Sequence, residues 1–147
     1  MNKRMLAAIA AATMISTPGF AQMTPSPEGA NVYFANLEDG ATVSSPVTVV
    51  FGLSGMGVAP AGTEVENTGH HHLLLNRPAL GENEFGEREF KEGLPSDSMH
   101  MHFGGGQTQV TLDLPSGEHT LQLVFADANH IPHDPPVVSE VITITVD

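Results

Sequence analysis

Gln107-Thr108-Gln109-Val110-Thr111-Leu112-Asp113-Leu114 sets Val110, Leu112 and Leu114 on one face and Thr111 and Asp113 on the other. A two-residue period is that of a half-buried β-strand, whose successive side chains point to opposite sides. After the turn Pro115-Ser116-Gly117-Glu118, His119 to Ala126 alternates again, with Leu121, Leu123 and Phe125 against Thr120, Gln122 and Val124. Val137 to Val146 is a third run, rich in β-branched residues. Working back towards the N-terminus, Asn31–Ala35, Pro46–Leu53, His70–Asn76 and Met99–Phe103 are four more short β-type runs. Turn signals separate them: Glu38-Asp39-Gly40, the Gly/Pro-rich Ser54–Thr68, and Gly104-Gly105-Gly106. Arg77–Ser98 is a long acidic connection that reads as a solvated loop. Seven short strands without a long helical period predict an all-β fold, an immunoglobulin-like β-sandwich of about seven strands.

The first residues have the pattern of an export signal. Lys3 and Arg4 precede an apolar run, Met5 to Ile15, and Ala21 closes a small-residue cleavage site. The run is too short to remain as a membrane-spanning helix. The expected organisation is a signal peptide over 1–21, a flexible leader over 22–30 with Pro25 and Pro27, and a single β-sandwich domain over 31–147. The expected location is periplasmic or secreted, with no membrane insertion after cleavage.

Three basic residues, Arg77, Arg88 and Lys91, then remain against 17 acidic ones. So acidic a surface repels phosphate backbones and attracts cations, which argues against nucleic acid as a partner. The chain has no cysteine. Thiol nucleophiles, thiolate zinc sites and the cysteine-ligated blue-copper site are excluded, so any metal must be held by nitrogen, oxygen or thioether sulfur.

The eight histidines fall mainly in three clumps: Gly69-His70-His71-His72-Leu73, Met99-His100-Met101-His102 and His130-Ile131-Pro132-His133-Asp134. In a strand, the outer residues of His70-x-His72 and of His100-x-His102 share a face, so each pair can reach one ion. A hydrogen-bonded polar layer is the competing reading. His71 points the other way with Leu73 and Leu75, as a hydrogen-bonded core histidine or a support to the site. His130 and His133 can complete the site, and Asp134 can orient a ligand from behind. If consecutive strands alternate direction, seven of the eight histidines gather at one end and His119 lies at the other. Met99 and Met101 are expected on the core face with Phe103.

These blocks resemble a bacterial exported family catalogued as a domain of unknown function, DUF 4399. The resemblance spans roughly 31–147. It rests on Asp39-Gly40-Ala41-Thr42-Val43, Gly55-Met56-Gly57-Val58-Ala59-Pro60-Ala61-Gly62, Asn67-Thr68-Gly69-His70-His71-His72-Leu73-Leu74, His102-Phe103-Gly104-Gly105-Gly106-Gln107-Thr108 and His130-Ile131-Pro132-His133-Asp134-Pro135-Pro136-Val137. It implies a small periplasmic β-domain and no particular activity. Met101 stands where the family usually has a β-branched residue.

The functional expectation is a periplasmic module binding copper or zinc through His70, His72, His100, His102, His130 and His133, with His71 and Asp134 in support. The alternatives are a non-catalytic structural or interaction domain and, last, an enzyme using metal-bound water. No nucleophile elbow, dinucleotide loop or His-Glu-x-x-His motif is present.

Overall fold

The computed structural model describes residues 23–82 and 86–147; the expected signal peptide lies outside them. The elements in chain order are β1 (Asn31–Phe34), β2 (Thr42–Val43), β3 (Val47–Ser54), β4 (Gly57–Val58), β5 (Thr68–Leu75), α1 (Gly86–Lys91), β6 (His100–His102), β7 (Gln109–Leu112), β8 (Gly117–Ala126), β9 (Pro132–Val138) and β10 (Ile142–Val146). The domain is an all-β sandwich. A three-stranded sheet, β1-β3-β7, faces a seven-stranded one in which β2, β10, β8, β5 and β4 are successive neighbours. β6 pairs with β5, and β9 pairs with β8. The short extra strands β2 and β4, and the division of the C-terminal run by the break after Val138, account for more strands than the seven expected.

The core lies between the two sheets. Val32, Val49 and Phe51 from the smaller sheet meet Leu73, Leu121, Leu123, Phe125 and Ile144 from the larger one, all at 5% exposure or less. The alternation read from the sequence puts these side chains inward. Burial of each such side chain stabilises the fold by about 1.5–3 kcal/mol.

The larger sheet is also covered on its outer face, and this positions the site. Leu74, Val124 and Ala126 point outward and form a second apolar cluster with Leu94. Leu94 belongs to the long connection after β5, and it packs back over the sheet with Leu80, so that this part of the connection is not a solvated loop. Its short helix α1 is held by exposed Glu87–Lys91 and Arg88–Glu92 pairs. Inside the same segment Arg77 and Glu89 make an ion pair with side chains only 4% and 5% exposed. Six residues lack the apolar period that announces a helix. The Arg77–Glu89 pair, formed across the connection, supplies what local propensity does not.

Two further differences concern residues near the termini of strands. Thr24 and Ser26, within the expected leader, hydrogen-bond to the 127–135 segment: Thr24 Oγ1 donates to Asp127 Oδ2 at 2.7 Å, and the Ser26 amide to the Asp134 carbonyl at 3.1 Å. Met101 packs towards the core as expected, but Met99 is 47% exposed. Among the described residues no helix is long and apolar enough to cross a membrane.

Candidate metal centre

The centre is built on β5, at the end where it enters the sheet. Antiparallel register sets His70 opposite Ala126 and His72 opposite Val124 on β8. On the other side of β5, His72 lies opposite His102 of β6. Cross-strand partners share a face, so His70, His72 and His102 project from the outer surface onto a small apolar bed. The fourth histidine, His130, comes from the loop after β8.

That loop is organised by Asp127, which the sequence reading passed over. Asp127 is 5% exposed. Its Oδ1 accepts the amides of Asn129 (2.8 Å) and Ile131 (3.0 Å), and its Oδ2 accepts the Thr24 hydroxyl. The His130 amide donates to the Asp127 carbonyl, and His130 takes a left-handed φ of 67°. An Asp at a strand end followed by Ala-Asn is the available sequence signal, since aspartate readily caps its own turn. The His130 carbonyl is then held by the Leu94 amide at 2.8 Å.

The rings meet nitrogen to nitrogen in two pairs. His70 Nε2 and His72 Nε2 are 3.0 Å apart, and His102 Nε2 and His130 Nε2 are 3.1 Å apart. The ring centroids of His70 lie 5.0 Å from those of both His102 and His130. One potential ligand nitrogen from each of His70, His102 and His130 lies within 4.8 Å of the others. His70 and His72 are fully buried, whereas His102 and His130 are half-buried at the rim. Gly104 closes that rim: a Cβ there would overlap the His102 ring. The Ala61 amide is bonded to the Gly104 carbonyl, which brings the 59–63 loop over the same end.

The donor set fits a transition metal. Imidazole nitrogens bind zinc at about 2.0–2.1 Å, so neighbouring donors stand about 2.8–3.4 Å apart, from square to tetrahedral arrangements. Both Nε2 pairs fall inside that interval. Burial favours the neutral form of His70, His72 and His102, which is the ligating form. It pushes His70 down to about 4, helped by the nearby His130 and His102, and His72 down to about 2, helped by His70 and His102. His102 is lowered by burial and by His130. Nδ1 of His70 and of His72 is buried without a hydrogen-bond partner, so on these two rings only Nε2 is engaged.

Three expected ligands or supports stand elsewhere. His100 shares a face with His102 but lies opposite Leu74, one pleat further along β5. There its Nδ1 donates to Asp97 at 3.0 Å, and its Nε2 meets Arg77 and Glu89. Burial tends to raise Glu89, but hydrogen bonds from Arg77, the Gly81 amide and His100 outweigh it and hold the carboxyl below its usual value. His133 is fully buried on the other side of the strand; it stacks on Phe125 and hydrogen-bonds through Nδ1 to the Thr24 carbonyl. Asp134 is exposed, and its backbone pairs with Thr24 and Ser26; the acid that supports the cluster is Asp127.

His71 faces the core as expected from alternation, between Phe51 and Phe125, with ring centroids 5.1 Å from each. It is not a hydrogen-bonded core histidine, because neither ring nitrogen closes a bond of normal geometry. Burial pushes it down to about 4, opposed by the Gln107 backbone.

Fold and site together define a small all-β domain with a four-histidine cluster on the outer face of its larger sheet. The chain belongs to the family described as "Domain of unknown function (DUF4399)", whose family model matches residues 49–147. No curated protein and no solved structure matches it.

Proposed function

We propose that the chain is an exported, non-catalytic binding module that holds one copper or zinc ion through Nε2 of His70, His72, His102 and His130. The observation that carries this reading is the pairing of the four Nε2 atoms at 3.0 and 3.1 Å. In each pair one neutral imidazole donates its Nε2–H to the other's Nε2; with an ion bound, that proton would move to the donor ring's Nδ1, leaving both Nε2 lone pairs for the ion. Burial of His70 and His72 supports tight retention, and the half-buried His102 and His130 supply the route of entry. Copper(I) is disfavoured relative to copper(II) and zinc(II), since thioether sulfur suits copper(I) and Met101 packs into the core. The acidic surface supports cation capture, and the Lys3–Ala21 signal pattern supports a periplasmic or secreted location.

Titration of tag-free, chelator-treated protein with Cu(II), Cu(I) and Zn(II) tests the proposal. One ion per chain is expected, with uptake lost in the His70→Ala, His102→Ala double variant. Absence of stoichiometric uptake, or uptake indifferent to both substitutions, refutes it. The second reading, a purely structural histidine layer, draws on the same ring-to-ring hydrogen bonds. It requires a melting temperature that ignores both metal and chelator but falls when the histidines are replaced.

A further inference from the structure

Residues 24–26 precede β1 in the chain, yet they lie along the segment that follows His130. Pro25 and Asp134 form a parallel bridge. The Asp134 amide donates to the Thr24 carbonyl at 3.0 Å, and the Ser26 amide to the Asp134 carbonyl at 3.1 Å. The Ser26 hydroxyl donates to the Pro135 carbonyl at 2.7 Å, and His133 Nδ1 meets the Thr24 carbonyl at 3.3 Å. The segment is thus held as a short added strand along the start of β9.

One contact of this strand reaches towards the histidine cluster. Thr24 Oγ1 donates to Asp127 Oδ2 at 2.7 Å. Asp127 Oδ1 is already committed to the Asn129 and Ile131 amides, at 2.8 and 3.0 Å. Donors therefore approach both oxygens of a carboxylate that is almost wholly buried, and they fix its rotation as well as its position. Hydrogen bonds to a charged acceptor are among the stronger kinds. The turn that this carboxylate closes holds His130 at its left-handed φ, and His130 Nε2 then lies 3.1 Å from His102 Nε2. An unbroken run of contacts joins Thr24 to the cluster. Metal–ligand distances tolerate only about 0.2 Å of error, so a turn that opens takes His130 out of the ligand set.

We propose that residues 24–26 are a strap belonging to the metal centre, with Thr24 a positioning residue for His130, and that ion binding and strap docking reinforce each other. The proposal rests on the metal reading of the cluster. Linkage makes the coupling reciprocal: whatever factor the docked strap adds to ion affinity, the bound ion adds to docking. Loss of the ion loosens the strap and uncovers the Asp134 and Pro135 backbone, so the occupancy of the centre is displayed on β9.

Competition of the tag-free chain with a chromophoric chelator for Zn(II) tests the first half. Thr24→Val removes the hydroxyl and keeps the side-chain shape; it should weaken Zn(II) about ten-fold or more, with one ion per chain retained. Thr24→Ser keeps the hydroxyl and should bind as the parent does, a rescue that a purely packing role for Thr24 would not give. Hydrogen exchange tests the second half. Saturating Zn(II) should slow the Ser26 and Asp134 amides about ten-fold in the parent and leave them unchanged in His130→Ala. Equal zinc affinity in Thr24→Val and the parent overturns the inference, as does exchange at Ser26 and Asp134 that ignores zinc. Both results are read on a parent that takes up zinc, which separates them from failure of the metal reading; a parent that takes up no ion overturns that reading and the linkage with it.

Discussion

Lowering the pH of the metal-free chain from about 7 to about 5 should remove about 5 kcal/mol of folding stability. The perturbation acts on histidines held neutral by burial. His71 and His72 have folded values of about 4 and about 2 against an ordinary 6.5. As pH falls below 6.5, the unfolded chain takes up protons that the folded chain refuses, so stability is complete above 6.5 and is lost on acidification. For His70 and His71 the loss ends near their folded value of about 4; for His72 it continues below that. Each such group costs about 1.4 kcal/mol per pH unit, or about 2 kcal/mol by pH 5. His70 counts for about half that, because its half-exposed neighbours His102 and His130 admit solvent screening. A loss of about 5 kcal/mol is comparable with the whole stability of many domains of this size. Stopping at pH 5 keeps Glu89 and Asp97 ionised, since both are held below the usual carboxylate range. The assay is urea unfolding followed by circular dichroism at both pH values in the presence of chelator. A change under about 1 kcal/mol refutes the reasoning. A control identifies the source: His71→Leu should reduce the pH dependence by about 2 kcal/mol and raise stability at pH 7 by about 1–2 kcal/mol, because it replaces a buried, poorly hydrogen-bonded imidazole with an apolar group.

Gly104→Ala should weaken Zn(II) at least ten-fold in calorimetry while the far-ultraviolet spectrum is retained, since its Cβ displaces the His102 ring. His100→Ala should leave the one-ion stoichiometry intact and lower urea stability by about 1–2 kcal/mol through loss of the Asp97–His100–Arg77 links, whereas His102→Ala should abolish uptake. Asp127→Ala should cost about 2–3 kcal/mol and weaken metal binding at least ten-fold, because the Asn129 and Ile131 amides lose their acceptor and the His130 turn opens.

How far the site could be read without coordinates differs from residue to residue. His70 and His72 on one face, and His71 on the other, follow from strand alternation alone, because a pleated chain allows no other arrangement. The choice of His102 over His100 does not follow, since both have the same parity. It depends on the register of β6 against β5, which sets His102 beside His72 and leaves His100 beside Leu74. The place of His133 depends on a similar feature. The segment turns back into β9, and the ring stacks on Phe125 at the core side of the sheet.

The order of apolar and polar residues was sufficient for an all-β sandwich, because side-chain period is a local property of the chain. The meeting of His70, His102 and His130, with His72 beside His70, was decided only by tertiary structure. That outcome depends on strand register, on the Asp127 turn that delivers His130, and on the Arg77–Glu89 pair that draws His100 away. Each is an interaction between residues distant in sequence, and no window along the chain contains it.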